Sequence, residues 1–142
     1  MRLIGENMIK LVKQYSVFLP NIPGALSRFV ELFSKEGVNI IGIASEIRDD
    51  SGIVRITVDT DRKISYLLTN AGFTTVETQM ILIELPDKPG TLFKLTSMLA
   101  ENGINITTVY GTTYTGSIGH LLLNVSDAHK AMELIKGLIA AK

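Results

Sequence analysis

Two short segments hold the residues with the clearest chemical potential. Asn21-Ile22-Pro23-Gly24 and Asp87-Lys88-Pro89-Gly90 each set a side-chain oxygen three positions ahead of a glycine, and Asn39 and Asn105 follow Asn21 and Asp87 at the same interval of 18 residues. A helix starting after Pro-Gly presents unsatisfied N–H groups and the positive end of its dipole, a seat for a carboxylate. Glycine lets a ligand approach closely. The oxygens of Asn21 or Asp87, and of Asn39 or Asn105, are suited to accept from an ammonium group. Asp87 adds a full charge that Asn21 lacks, so the two segments are expected to bind with different affinities. The same residues also have a purely local use: Asn and Asp before Pro-Gly shape turns and cap helices, and Asn39 and Asn105 can bond the turn backbone.

Other chemistry is weakly represented. The 142 residues contain no cysteine and two histidines, which excludes disulfides and thiolate chemistry and leaves little for nucleophilic or metal catalysis. His120 falls in a strand and His129 in the first turn of a helix, where a structural or exposed role is the simpler reading. Gly111, Gly116 and Gly119 lie in a Thr-rich hairpin without the strand-to-helix context of a nucleotide fingerprint, and Asp49-Asp50 reads as a turn. Lys plus Arg and Asp plus Glu each total 14 and are scattered, so no basic face for nucleic acid is expected. Residues 103–126 lack charged side chains, yet seven Thr or Ser, two Asn and a His argue against a membrane span. No enzyme activity, cofactor or metal is expected, and the chain reads as a cytoplasmic protein.

The elements that must position the two segments follow from an internal repeat. A shift of 66 lays Leu19–Leu26 on Leu85–Leu92 and Gly37-Val38-Asn39-Ile40 on Gly103-Ile104-Asn105-Ile106, with eight of the 25 positions from 19 to 43 identical. After the next turn the shift becomes 67, placing Val54, Ile56 and Val58 on Leu121, Leu123 and Val125. A period this long marks a repeated supersecondary unit. Within a unit, Tyr15, Val17 and Leu19 alternate as a half-buried strand, and Leu26, Phe29, Val30 and Phe33 form the apolar stripe of a helix that Gly37 stops. A hairpin with its turn at Asp49–Gly52 and a second helix over roughly Asp61–Ala71, with Ile64, Leu67 and Leu68 inward, complete the unit. The second copy ends on a helix over Asp127–Ile139. Residues 73–85 read as one long extended segment closing the first unit and opening the second. The second unit lacks a closing strand of its own, and residues 8–13, Met8-Ile9-Lys10-Leu11-Val12-Lys13, are the candidate to supply it. The units are thus expected at 14–78 and 79–142.

Strand, Pro-Gly loop, helix and then Gly-x-Asn-Ile, twice over nearly the whole chain, resembles the ACT domain family of small-molecule-binding modules. The resemblance implies an α+β, ferredoxin-like βαββαβ sandwich. Two ACT-type units would lie side by side, sharing an eight-stranded antiparallel sheet with helices on one face. It implies an amino-acid effector between units, touching Asn21, Pro23, Gly24, Ala25, Leu26, Asn39 and Ile40, or Asp87, Pro89, Gly90, Thr91, Leu92, Asn105 and Ile106. Some amino-acid-binding members carry a His two positions before the loop Asn, where this chain has Leu19 and Leu85. Function is then expected to be that of an amino-acid-binding regulatory or sensor protein. Two alternatives remain. One is a regulatory subunit of a separate biosynthetic enzyme, since residues 32–40 are similar to acetolactate synthase small subunits. The other is a ligand-free interaction scaffold. Met80, Leu82 and Leu122 are expected to point away from the helices with Phe18, forming an apolar face that a homodimer or higher assembly would cover.

Overall fold

The computed structural model describes residues 9–112 and 118–140. The elements are β1 (Ile9–Pro20), α1 (Ala25–Lys35), β2 (Ile40–Arg48), β3 (Ser51–Val58), α2 (Ser65–Asn70), β4 (Thr75–Pro86), α3 (Thr91–Glu101), β5 (Ile106–Thr112), β6 (Ile118–Val125) and α4 (Ala128–Ala140). Among the described residues, contacts group Val12–Gln79 as one unit and residues 9–11 with those from Met80 onward as the other.

The architecture is α+β and antiparallel, as expected, but the sheet has six strands in the order β2-β3-β1-β4-β6-β5 rather than eight. The difference arises because β1 and β4 are each continuous over 12 residues. Residues 8–13 and 14–19, expected as two strands, form one, and Met8 lies outside the described residues. No Gly or Pro interrupts Ile9–Leu19 or Thr75–Leu85, so nothing forces a break in the extended backbone. The second expected helix is also shorter than 61–71. Arg62 donates to the Glu36 carbonyl and to Glu36 Oε1, both at 2.6 Å, while its own N–H donates to Thr60 Oγ1 at 3.2 Å. These bonds accompany a bend at residues 61–62, and helix begins only at Ser65.

In the first unit Tyr15, Val17 and Leu19 from β1, Val54, Ile56 and Val58 from β3, Phe29 and Phe33 from α1 and Leu68 from α2 form one buried cluster. Both helices therefore cover the same face of the strands. The rings of Phe29 and Phe33 meet edge to face at 5.4 Å between centroids, and those of Phe29 and Phe73 at 5.1 Å. In the second unit Ile81, Ile83, Leu95, Leu99, Leu123, Val125, Ala131 and Ile135 take the same places, with Ile9 and Leu11 packed against them. The repeat thus exchanges an aromatic core for an aliphatic one: Tyr15, Phe29 and Phe33 correspond to Ile81, Leu95 and Leu99.

The expected outward apolar face is not there. Met80, Leu82 and Leu122 are buried, as are Ile81, Ile83 and Leu123. Residues 80–83 of β4 are buried on both faces, which suits their unbroken apolar run. Phe18 is exposed as expected.

Tyr15 sits fully buried, and its hydroxyl has no hydrogen-bond partner among the described residues. Burial, with the nearby Glu77 carboxylate as a second cause, pushes its pKa up to about 12. The fold thus favours the neutral phenol, whereas an unfolded tyrosine ionises near pH ~10. Stability from this site is present below pH ~10 and should be lost as pH rises toward the folded pKa. Urea midpoints at increasing alkaline pH should fall in the native chain and fall less steeply in Tyr15→Phe.

Candidate ligand-binding site

The two Pro-Gly loops have the same local geometry. Gly24 and Gly90 adopt left-handed conformations, φ 86° and 92°, and each forms the N-cap of the following helix without a side-chain cap hydrogen bond. A β-carbon at either position would be strained there. The helical ladders begin with Arg28 N–H to Gly24 O and Lys94 N–H to Gly90 O, both 3.0 Å. The first-turn amides of Leu26 and Ser27, and of Leu92 and Phe93, precede those ladders, and a helix leaves such donors to ligand or water. Neither Asn21 nor Asp87 caps its helix, so the local reading of these two residues does not extend to capping.

The loops differ in what their polar side chains do. Asn21 is fastened to the β2–β3 turn: its Nδ2 donates to Asp49 O at 3.2 Å and its backbone N–H to Asp50 O at 2.8 Å. Asp49 reaches this position in a left-handed conformation, φ 55°, which Asp tolerates better than most residues. Asp87 is exposed and has no hydrogen-bond or ion-pair partner among the described residues. It lies on the wall of a cavity of about 440 Å³ in the second unit. Leu85 to Lys88, Thr91 and Leu92 form one side of that cavity, Val109 to Gly111 and Gly119 to Leu121 the other.

The register explains this grouping. Leu85 lies opposite Gly119, and Ile83, Leu121 and Gly111 form the next row across the strands. The hairpin therefore brings β5 and β6 beside the loop that follows β4. Sequence reasoning missed Val109, Gly111, Gly119 and Leu121, although antiparallel pairing read through the repeat was the available signal. His120 also borders the cavity, and its Nε2 lies 3.1 Å from Glu84 Oε2.

Asn39 and Asn105 are not brought to their own loops. α1 and α3 each run 11 residues, roughly 16 Å at 1.5 Å per residue, before Gly37 and Gly103 end them with φ 68° and 74°. The returning strands thus start at the far end of the helix. Asn39 and Ile40 border a different depression with Val30, Phe33 and Ser34. Asn105 exchanges bonds with Ser126, its N–H donating to Ser126 Oγ at 3.0 Å and its carbonyl accepting from Ser126 N–H at 2.9 Å. Both hairpins shift register just after these positions, at Ile40/Gly42 and Ile106/Thr108. Ala25 is buried, Leu26 and Leu92 are exposed, and Thr91, Ile40 and Ile106 are half-buried. Pro23 and Pro89 are exposed beside their glycines. Among the described residues no group of three or more His, Asp or Glu could hold a metal, and no helix is long and apolar enough to cross a membrane.

Two units of this geometry, each with a Pro-Gly loop opening a helix, match a known family: residues 10–139 fit the ACT domain pair. The chain belongs to that family. No curated protein sequence matches this chain. Its fold is similar to that of a Bacteroides thetaiotaomicron protein of known structure, with 27% identity over 91% of this chain and 89% of the other and a TM-score of 0.80. It is also similar to the ligand-free regulatory subunit of aspartate kinase from Thermus thermophilus, at 12% identity, 92% and 95% coverage and a TM-score of 0.67. Aspartokinase III of Escherichia coli, solved with lysine and aspartate, shares the fold over 93% of this chain and 31% of its own, with 14% identity and a TM-score of 0.59.

Proposed function

We propose that this ACT pair is a non-catalytic, cytoplasmic regulatory protein that binds a free amino acid at its Pro-Gly loops. The observation that carries this reading is the pair of helix N-termini capped only by left-handed glycines, one of them opening on a cavity of about 440 Å³, a volume typical of small-molecule sites. In this reading the α-carboxylate faces the first-turn amides and the α-ammonium faces Asn21 or Asp87. Pro23, Gly24, Ala25 and Leu26, or Pro89, Gly90, Thr91 and Leu92, surround it. Asn39, Ile40, Asn105 and Ile106 take part only from a neighbouring unit, because each lies a helix length from its own loop.

The proposal includes unit boundaries near 14–78 and 79–142, with the closing strand of the second unit supplied from residues 8–13, of which Met8 lies outside the described residues and Val12 and Lys13 group with the first unit. The packing of Ile9 and Leu11 against the second core supports it. It includes a homodimer or higher oligomer, supported by exposed apolar side chains at Ile22, Leu26, Ile43 and Ile47. A catalytic enzyme partner is the second reading, favoured by the fold shared with a regulatory subunit of aspartate kinase. It would be tested by co-purification of a catalytic subunit.

A thermal-shift screen with the common amino acids tests the main reading. A ligand at a hundred times its Kd stabilises the folded state by about 2.7 kcal/mol, which raises Tm by roughly 5–10 °C in a chain of this size. A flat response to every amino acid would leave only the scaffold reading.

A further inference from the structure

The floor of the second-unit cavity indicates what kind of amino acid it takes. Across the helix-facing side of the strands, Ile83, Leu121 and Gly111 form one row and Ile81, Leu123 and Val109 the next. The first unit has Val17, Val54 and Ser45, then Tyr15, Ile56 and Ile43, in the corresponding rows. The repeat therefore replaces Ser45 by Gly111 and Ile43 by Val109, which removes a hydroxymethyl group and a methylene from this part of the floor and leaves no side-chain hydroxyl there. Gly111 cannot be refilled easily, because a β-carbon would come within 2.6 Å of the His120 carbonyl oxygen.

The rest of the lining is largely apolar, with Thr91 and Tyr110 its hydroxyl-bearing residues. Leu92 and Val109, 53% and 50% exposed, face the cavity with Leu121 between the loop and the edge strand. Charge is confined to Asp87 and Lys88 in the loop, while the imidazole of His120 is engaged by Glu84. Resting on the regulatory reading above, we propose that the second unit binds an α-amino acid with an aliphatic or aromatic side chain. The zwitterion meets Asp87, Lys88 and the first turn of α3, and the side chain lies over Leu92, Val109, Gly111 and Leu121. The first loop, whose Asn21 is fastened to Asp49 and Asp50, is the weaker site.

Calorimetric titration of the full chain with leucine, isoleucine, methionine and phenylalanine, against alanine, serine, lysine and aspartate, tests this. One methylene in an apolar pocket is worth roughly 10-fold or more, so the best apolar ligand should bind at least about tenfold tighter than alanine. Val109→Asp should weaken it at least about tenfold. Leu92→Ala, on an exposed helix position, serves as the second variant should Val109→Asp fail to fold. Tightest binding by lysine, aspartate or serine would overturn the apolar assignment and leave the regulatory reading standing. Leucine binding that both variants leave unchanged would overturn the placement. Silence from all eight amino acids would overturn this assignment, and extension of that silence to the remaining common amino acids would overturn the regulatory reading as well.

Discussion

Phe29→Ala should destabilise the protein by about 3–5 kcal/mol, the usual result of truncating a fully buried aromatic in a core that cannot collapse around the void. Phe29 is wholly buried and meets Phe33 and Phe73 edge to face, so the substitution also removes two ring contacts. Its repeat counterpart Leu95 is equally buried, and Leu95→Ala should cost about 2–5 kcal/mol. Urea unfolding read by hydrogen exchange resolves the two cores. Phe29→Ala should reduce protection first at Tyr15, Val17 and Ile56, and Leu95→Ala first at Ile81, Ile83 and Leu123. Loss below about 1 kcal/mol in either variant would mean that these side chains are not core residues.

Leu11→Asp should also destabilise the protein, although the site is only half-buried. Leu11 lies at the chain's beginning yet packs with Ile9 against the core made by Met80 onward. An aspartate there loses the apolar contact, worth about 1.5–3 kcal/mol for a fully buried leucine, and brings a carboxylate against aliphatic side chains. Amide protection should fall at Ile81, Ile83 and Leu123 while Val17 and Val54 keep theirs. Equal loss in both units, or loss confined to Val12–Gln79, would refute the proposal that the N-terminal strand completes the second unit.

Much of this architecture was legible because the repeat carried it. Helical spacing of Phe29, Val30 and Phe33 and two-residue alternation at Tyr15, Val17 and Leu19 report burial on one face directly. The hairpin turn and the glycine stops at Gly37 and Gly103 follow from residue types that favour left-handed backbone. Periodicity does not show where one strand ends and the next begins when no breaker intervenes, and so β1 and β4 each read as two strands in the sequence. Nor does it show what covers a face: Met80, Leu82 and Leu122 alternate correctly with Ile81, Ile83 and Leu123 and are buried nonetheless. The shortened α2 depends on a long-range bond from Arg62 to Glu36, which local propensity cannot anticipate. At the site, Gly24 and Gly90 were readable as unusual backbone, whereas Val109 and Gly111 join the cavity only through cross-strand register.

An amino acid held as proposed sits at the start of α3. Backbone amide NMR shifts during titration with leucine test this placement most directly. Saturable changes are expected that are largest at Leu92 and Phe93, with smaller ones at Val109 and Gly111. Saturable changes centred elsewhere, or none at millimolar leucine and phenylalanine, would contradict it.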